Sequence, residues 1–385
     1  MTSQESQSVR FLHTSDWQLG ATRYFLSDEA QALWAASRFE AIRRLGQTAV
    51  DEQCEFIVVA GDVFESNHVD RKTVLRTCEA LSSFVVPVFL LPGNHDPLDP
   101  GNVFDSSTWK SQKPENVHVL DDPERPHELR PGVEIFGAPW FTKTPLSDLV
   151  ADGIKSVGEK PDGIRVMVGH GATDTLSPDR DNPALINVGD AEAALVDGWI
   201  HYLALGDRHS KTKIGSGEQI WYSGTPEVYA FNEVDPGHAL IVEIDKKNTT
   251  VRSVKIGVWQ FLNKDADIGN AADIDALEAF LASVENKEQT VVRLSLTGTV
   301  TLSEHTRLME IIERSGDLFA GVHLSESRSD LVAIPSDTDF SDISLTGFAD
   351  TALKKLRTTA DAGGEDAERA RDALALLVRL TRPTE

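Results

Sequence analysis

Five polar clusters, each placed where an apolar run ends, constrain this chain more than any other feature. They are His13-Thr14-Ser15-Asp16-Trp17-Gln18, Gly61-Asp62-Val63-Phe64-Glu65, Gly93-Asn94-His95-Asp96, Gly169-His170-Gly171 and Gly206-Asp207-Arg208-His209. The runs before them, at 9–13, 55–60, 86–91, 164–168 and 202–205, are short and rich in Val, Ile, Leu and Phe. Such runs read as strands. Open α/β sheets gather ligands just beyond the carboxyl ends of their strands. The expectation is a layered α/β protein with one polar site.

The stretch 28–53 carries Ala32, Leu33, Ala36, Phe39, Ile42, Leu45 and Val50 at spacings of mostly three and four. That pattern predicts an amphipathic helix packed on the sheet. A second helix at 70–84 completes a βαβαβ rhythm. Further strands are predicted at 133–137, 219–222 and 239–244, where the closer spacing suggests hairpins. Past 258 the texture changes to helix 273–284, strand 290–296 and helix 306–314, a small α+β second domain. The acidic stretch 335–342 reads as a linker. Two helical segments follow, 349–360 and 365–380, split by Gly363 and Gly364. The second carries Ala370, Ala373, Leu374, Leu377 and Leu380 on one face, which calls for a docking surface. The boundaries drawn are 8–258, 259–340 and 341–385.

Asp and Glu number 61 against 37 Lys and Arg, a net charge of −24 that opposes binding to nucleic acid or anionic membranes. The longest apolar run, 84–91, is broken by Pro87 and is far too short to cross a bilayer. Residues 1–7 have neither the basic start nor the apolar stretch of an export signal. Cys54 and Cys78 form no metal or disulfide spacing, so both are expected buried and reduced, in the cytoplasm.

A strand ending in Gly-Asp is usually an ordinary turn, and a lone His is usually structural. Five such clusters in order point instead to a shared charge requirement. Hydrolysis of a phosphodiester is served by two divalent ions about 3.5–4 Å apart, and these need a bridging carboxylate. Asp62 is the expected bridge. Asp16, Gln18 and His209 suit one ion; Asn94, His170 and Asp207 suit the other. Arg208 is placed to reach a phosphate. His68 and Glu65 follow the bridge as candidate substrate contacts or as a solvated loop. Trp17, Trp140 and Trp221 are candidates for base stacking, with core packing the commoner fate.

The order DxQ, GDVFE, GNHD, GHG, GDxH resembles the calcineurin-like metallophosphoesterase superfamily, over about 9–244. HTSDWQLG, VVAGDVFE and LLPGNHDP are most similar to SbcD-type DNA repair nuclease subunits. The resemblance implies a β-sandwich core flanked by helices, with 259–340 as a capping domain and 341–385 as docking helices. It further implies Mn²⁺-dependent exonuclease and endonuclease activity on DNA, with Mg²⁺ the second choice of metal. His95 would contact the scissile phosphate and help protonate the leaving oxygen. The implied partners are DNA and an SbcC-like coiled-coil ATPase, with a homodimer left open and no membrane. Gln18 departs from the family pattern, which has His there, and Asp207 stands where the last motif usually has GHxH. Both changes trade nitrogen for oxygen donors, favouring manganese or magnesium over zinc. Two alternatives stay open: a phosphatase or phosphodiesterase acting on a non-DNA substrate, and a catalytically weakened architectural subunit.

Overall fold

In a computed structural model describing residues 8–245, 248–334, 348–361 and the isolated positions 366, 369, 370 and 373, the chain begins β1 (Val9–Thr14), α1 (Asp28–Asp51), β2 (Phe56–Val59), α2 (Arg71–Leu81), β3 (Val88–Leu90), α3 (Ser107–Gln112) and β4 (Val117–Val119). It continues with β5 (His127–Arg130), β6 (Val133–Gly137), α4 (Leu149–Ser156), β7 (Ile164–His170), α5 (Val188–Val196), β8 (Tyr202–Gly206) and β9 (Thr212–Lys213). Then come β10 (Ile220–Tyr222), β11 (His238–Ile244) and β12 (Thr249–Lys255). These strands form two six-stranded sheets, ordered β12-β11-β1-β2-β3-β4 and β5-β6-β7-β8-β10-β9.

Strand alternation explains the layering. All four residues of β2 are buried. Phe56 and Val58 face a core that holds Phe11 and Phe89 together with Ile135, Val166, Val168 and Tyr202 of the other sheet. Ile57 and Val59 face Ile42, Leu45 and Leu81 of the helical layer. A strand buried on both faces therefore reads as an unbroken apolar run. On the far side, Phe136, Met167, Leu203 and Leu205 pack against Val150 of α4 and Ala191 of α5. The result is a helix–sheet–sheet–helix β-sandwich, the α/β class expected.

Two expectations are corrected. In α1, Phe39, Ile42 and Leu45 of the expected stripe are buried, but Ala32, Leu33, Ala36 and Val50 are exposed, and Trp34, Arg38, Ala41 and Ala49 are buried instead. The core stripe of the helix thus runs through an arginine, Arg38, which an apolar-only pattern skips. The hairpin expectation fails for the strands that carried it: β10 pairs with β8 in parallel and β11 lies antiparallel to β1, while the hairpin partner of β11 is β12, a strand not expected from the sequence. Cys54 and Cys78 are free and buried.

The chain divides into two compact units, Met1–Tyr24 with Asp28–Trp259, and Phe25–Ser27 with Gln260–Glu385. The second contains β13 (Gln260–Ile268), α6 (Ala271–Ser283), β14 (Thr290–Thr301), α7 (Leu302–Gly316), β15 (Gly321–Leu324), β16 (Asp330–Ile334) and α8 (Phe348–Asp361). Its strands pair in parallel around the long β14. Ile274, Leu277, Leu281, Leu308 and Ile311 cover Val292, Leu294 and Leu296. Capping boxes, Asn270 with Asp273 and Thr301 with Glu304, start α6 and α7. The first expected terminal helix is α8, with Leu353 buried. The expected linker 335–342, and the second terminal helix apart from isolated positions, lie outside the described residues. Among the described residues no helix is long and apolar enough to cross a membrane.

Candidate metal centre

The five clusters meet where β1, β2 and β3 of one sheet and β7 and β8 of the other end. Two loops are laced by main-chain bonds: Asp16 N–H to Gly61 O and Gln18 N–H to Asp62 O, both 3.0 Å. The sheets come so close here that a β-carbon on Gly206 would fall 1.8 Å from Ala60 O. One on Gly61 (φ +90°) would fall 2.0 Å from His170 Nδ1. Both positions therefore demand glycine.

Asp16, Asp62 and His170 are buried, and each offers a donor atom lying within 4.8 Å of the others. Asp62 Oδ1 accepts the His95 main-chain N–H at 3.0 Å and lies 3.4 Å from His170 Nε2. His170 Nε2 is also 2.7 Å from Asn94 Oδ1 and 3.9 Å from Asp207 Oδ1. On the other side, His209 Nε2 is 3.9 Å from Asp16 Oδ1. The Gln18 amide donates to Asp62 Oδ2 at 2.9 Å. All seven expected ligands are thus brought together, with His95 beside them, its Nε2 4.0 Å from Asp62 Oδ2.

The electrostatics are those of a site built for cations. Burial pushes Asp16 up to about 6 and raises Asp207. Burial would raise Asp62 too, but His170 and His95 hold it below the usual carboxylate range. Burial opposes protonation of His170, yet Asp62, Asp16 and Asp207 raise it well above an ordinary imidazole. Gathering like-charged carboxylates in a dry site is costly without a countercharge. One buried acceptor, Gln18 Oε1, has no hydrogen-bond partner among the described residues. An orphan oxygen beside three carboxylates fits a divalent cation, and the oxygen-rich donor set fits a hard one.

Other candidates fall elsewhere. Arg208 and His68 are exposed; Arg208 donates to Thr212 and the His68 main chain to Ser66. Among the described residues neither bonds to the cluster. Trp17 is buried and donates to Thr14 Oγ1, and Trp221 packs on the inter-sheet core. Trp140 donates to His170 O at 2.8 Å and sets its ring edge-on to the imidazole. His13 is scaffold: buried between Tyr202 Oη and Leu205 O, it is pushed down to about 3, chiefly by burial.

Several supports escape a reading of the sequence. Asp96 accepts the Gly93 and Phe64 main-chain N–H groups, and burial beside Asp62 pushes it up to about 7. Its place inside the GNHD cluster was the available signal. Glu233 accepts from His209 Nδ1 at 2.7 Å, and Tyr229 Oη donates to Glu65. The Arg23 guanidinium lies 3.2 Å from the Tyr229 ring centroid. None of these three sits in a motif.

The sequence profile of the calcineurin-like phosphoesterases matches residues 9–242, and the chain belongs to that family. That family is one of phosphoesterases. More particularly, the chain is 24% identical to the DNA double-strand break repair protein Mre11 of Methanosarcina mazei, over 83% of this chain and 47% of that one. It is 27% identical to the uncharacterized metallophosphoesterase YhaO of Bacillus subtilis, over 60% of this chain and 57% of YhaO. It is also 27% identical to the D component of the nuclease SbcCD of Bacillus subtilis, over 66% of this chain and 68% of that one. The first two matches span only about half of those relatives' length.

Proposed function

We propose that this chain hydrolyses phosphodiester bonds in DNA with two divalent ions, Mn²⁺ by preference and Mg²⁺ second, as the nuclease subunit of an SbcCD-like complex. The observation that carries this reading is the convergence of Asp16, Asp62 and His170 in a chain similar to Mre11 and to the D component of SbcCD. Asp16, Gln18 and His209 would hold one ion, Asn94, His170 and Asp207 the other, and Asp62 both. Such a pair supplies Lewis acidity and lowers the pKa of a water.

The chain's own groups do the rest. Asp62 is held in place by the His95 main-chain N–H. His95, anchored through Nδ1 to Glu65 O at 2.9 Å and part-exposed, is the group to deliver a proton to the leaving oxygen. Asp207, at the other ion, adds negative charge to a site in which Gln18 supplies only a weak neutral donor. With a net charge of −24, the chain would hold DNA beside an SbcC-like ATPase, docked on 341–385, with 259–340 as cap. Two free buried cysteines suit a cytoplasmic setting.

The same charge favours a second reading, a phosphatase or phosphodiesterase acting on a smaller, non-DNA substrate. The test is turnover of linear duplex DNA, a p-nitrophenyl diester and a p-nitrophenyl monoester by the Mn²⁺-loaded chain, with and without the ATPase. The nuclease reading expects turnover of the diester, ATPase-stimulated loss of DNA, and a fall of at least about 100-fold in Asp62→Asn, since several kcal/mol of charge stabilisation pass through the pair. Turnover of the monoester alone would replace it by the phosphatase.

A further inference from the structure

Three histidines face the cluster, and each is anchored through Nδ1 to an oxygen that can only accept. His95 uses Glu65 O at 2.9 Å, His170 uses Ala60 O at 2.8 Å and His209 uses Glu233 Oε1 at 2.7 Å. An acceptor-only partner makes Nδ1 the donor and turns Nε2 toward the site; in metal-free His170 that Nε2 meets a second acceptor, Asn94 Oδ1, so both its nitrogens donate. The Nε2 atoms lie 4.0, 3.4 and 3.9 Å from Asp62 or Asp16 oxygens. Two of the three anchors are main-chain carbonyls. The third is a buried carboxylate, its side chain 4% exposed.

We infer that Glu233 is a positioning residue that sets the His209 tautomer and strengthens it as a metal ligand, making up for the weak Gln18 amide at the same ion. The inference rests on the two-ion reading above. A carboxylate behind a ligating imidazole raises its donor strength as well as orienting it. Glu233 is itself held: Oε2 accepts the Tyr229 main-chain N–H at 2.9 Å. The Tyr229 ring stands edge-on to His209 with centroids 4.8 Å apart. Its hydroxyl donates to Glu65 at 3.0 and 3.1 Å, and the Arg23 guanidinium caps its face. The wall made by Tyr229 leaves the His209 ring little room to flip.

The experiment uses the full chain. Mn²⁺ binding is measured by calorimetry, and imidazole ¹⁵N NMR of the metal-free protein, at a pH high enough for a neutral ring, reads the His209 tautomer. Glu233→Ala is expected to weaken the affected ion by at least about 10-fold and to mix the tautomers. Glu233→Gln keeps an acceptor and loses the charge, so it should hold the tautomer while still weakening the ion. In a Gln18→His background, which restores a second imidazole, the loss on Glu233→Ala should shrink. Wild-type affinity and tautomer in Glu233→Ala would overturn the inference. Should that variant unfold, wild-type affinity in Glu233→Gln would do the same. His209→Ala separates the two levels. Unchanged binding there would remove His209 as a ligand, and the inference with it. Loss there beside full binding in both Glu233 variants would overturn the inference alone.

Discussion

Asp16, Gln18, Asp62 and Asp207 have φ of 53°, 47°, 55° and 96°, four of the seven non-glycine residues with positive φ among those described. Such angles are uncommon and persist only where the surroundings over-determine them, which is typical of functional sites. The side-chain types were readable from the motifs, but this backbone strain was not, because it depends on the lacing of loops far apart in the chain, as in Asp16 to Gly61. Glu233 was equally illegible: it reaches His209 across 24 residues with no motif between. Gln18 supplies the prediction at this scale. His tolerates the left-handed region better than most residues, and an imidazole binds more strongly than an amide. Gln18→His should therefore lower the Mn²⁺ concentration for half-maximal diester turnover about tenfold, or about 1.4 kcal/mol. A rate reduced at every Mn²⁺ concentration would show instead that the site is tuned around the amide. Asp207→His, titrated in parallel, tests whether the two departures compensate.

The strand ends are what carry the site. β1, β2 and β3 were legible because burial on both faces writes a continuous apolar run, and each run stops at the cluster it presents. Helix α1 was legible in extent, but its face only around Phe39, Ile42 and Leu45. Its buried Arg38 donates to Trp17 O at 2.6 Å and to Glu227 O and Val228 O, so a cation serves where the pattern looks for an apolar residue. Strands β4, β5, β9 and β12 are short or polar and leave little periodic signal. At this scale the prediction concerns Gly61, in the turn after β2. Gly61→Ala would place a methyl against the His170 ring at a positive φ, costing about 3 kcal/mol and displacing His170. Thermal melts and Mn²⁺ calorimetry should show both losses; an unchanged melt with full binding would mean that the turn relaxes freely.

For the molecule as a whole, the fold class and the family were legible, while the division at Trp259 showed only as a change of texture. The buried carboxylates give a pH signature. Asp16 rises to about 6 and Asp96 to about 7, against about 3.9 in an unfolded chain. Between about pH 4 and 7 these two groups therefore bind more protons in the folded metal-free protein than in the unfolded one, and their contribution to stability falls as pH rises. His170 and His209, both raised, add stability below about pH 6.5 that is lost as pH climbs through their folded values. Asp62, held low, adds a nearly constant amount across that window. Buried His13, pushed down to about 3, and the lowered His118, His201, His238 and His323 act in the opposite sense up to about pH 6.5. The melting temperature of the metal-free chain should therefore drop from about pH 6.5 to 7.5, and excess Mn²⁺ should cancel or reverse the drop. A rise without metal would contradict the assignment. Everything proposed for the chemistry depends on one pair of ions bridged by Asp62, and Mn²⁺ titration followed by electron paramagnetic resonance reads that pair without an intervening assay. Two Mn²⁺ per chain are expected, with the exchange-coupled spectrum of ions about 3.5–4 Å apart, and with that coupling lost in Asp62→Asn. A single uncoupled Mn²⁺ in the wild-type protein, or coupling that survives Asp62→Asn, would contradict the bridged pair.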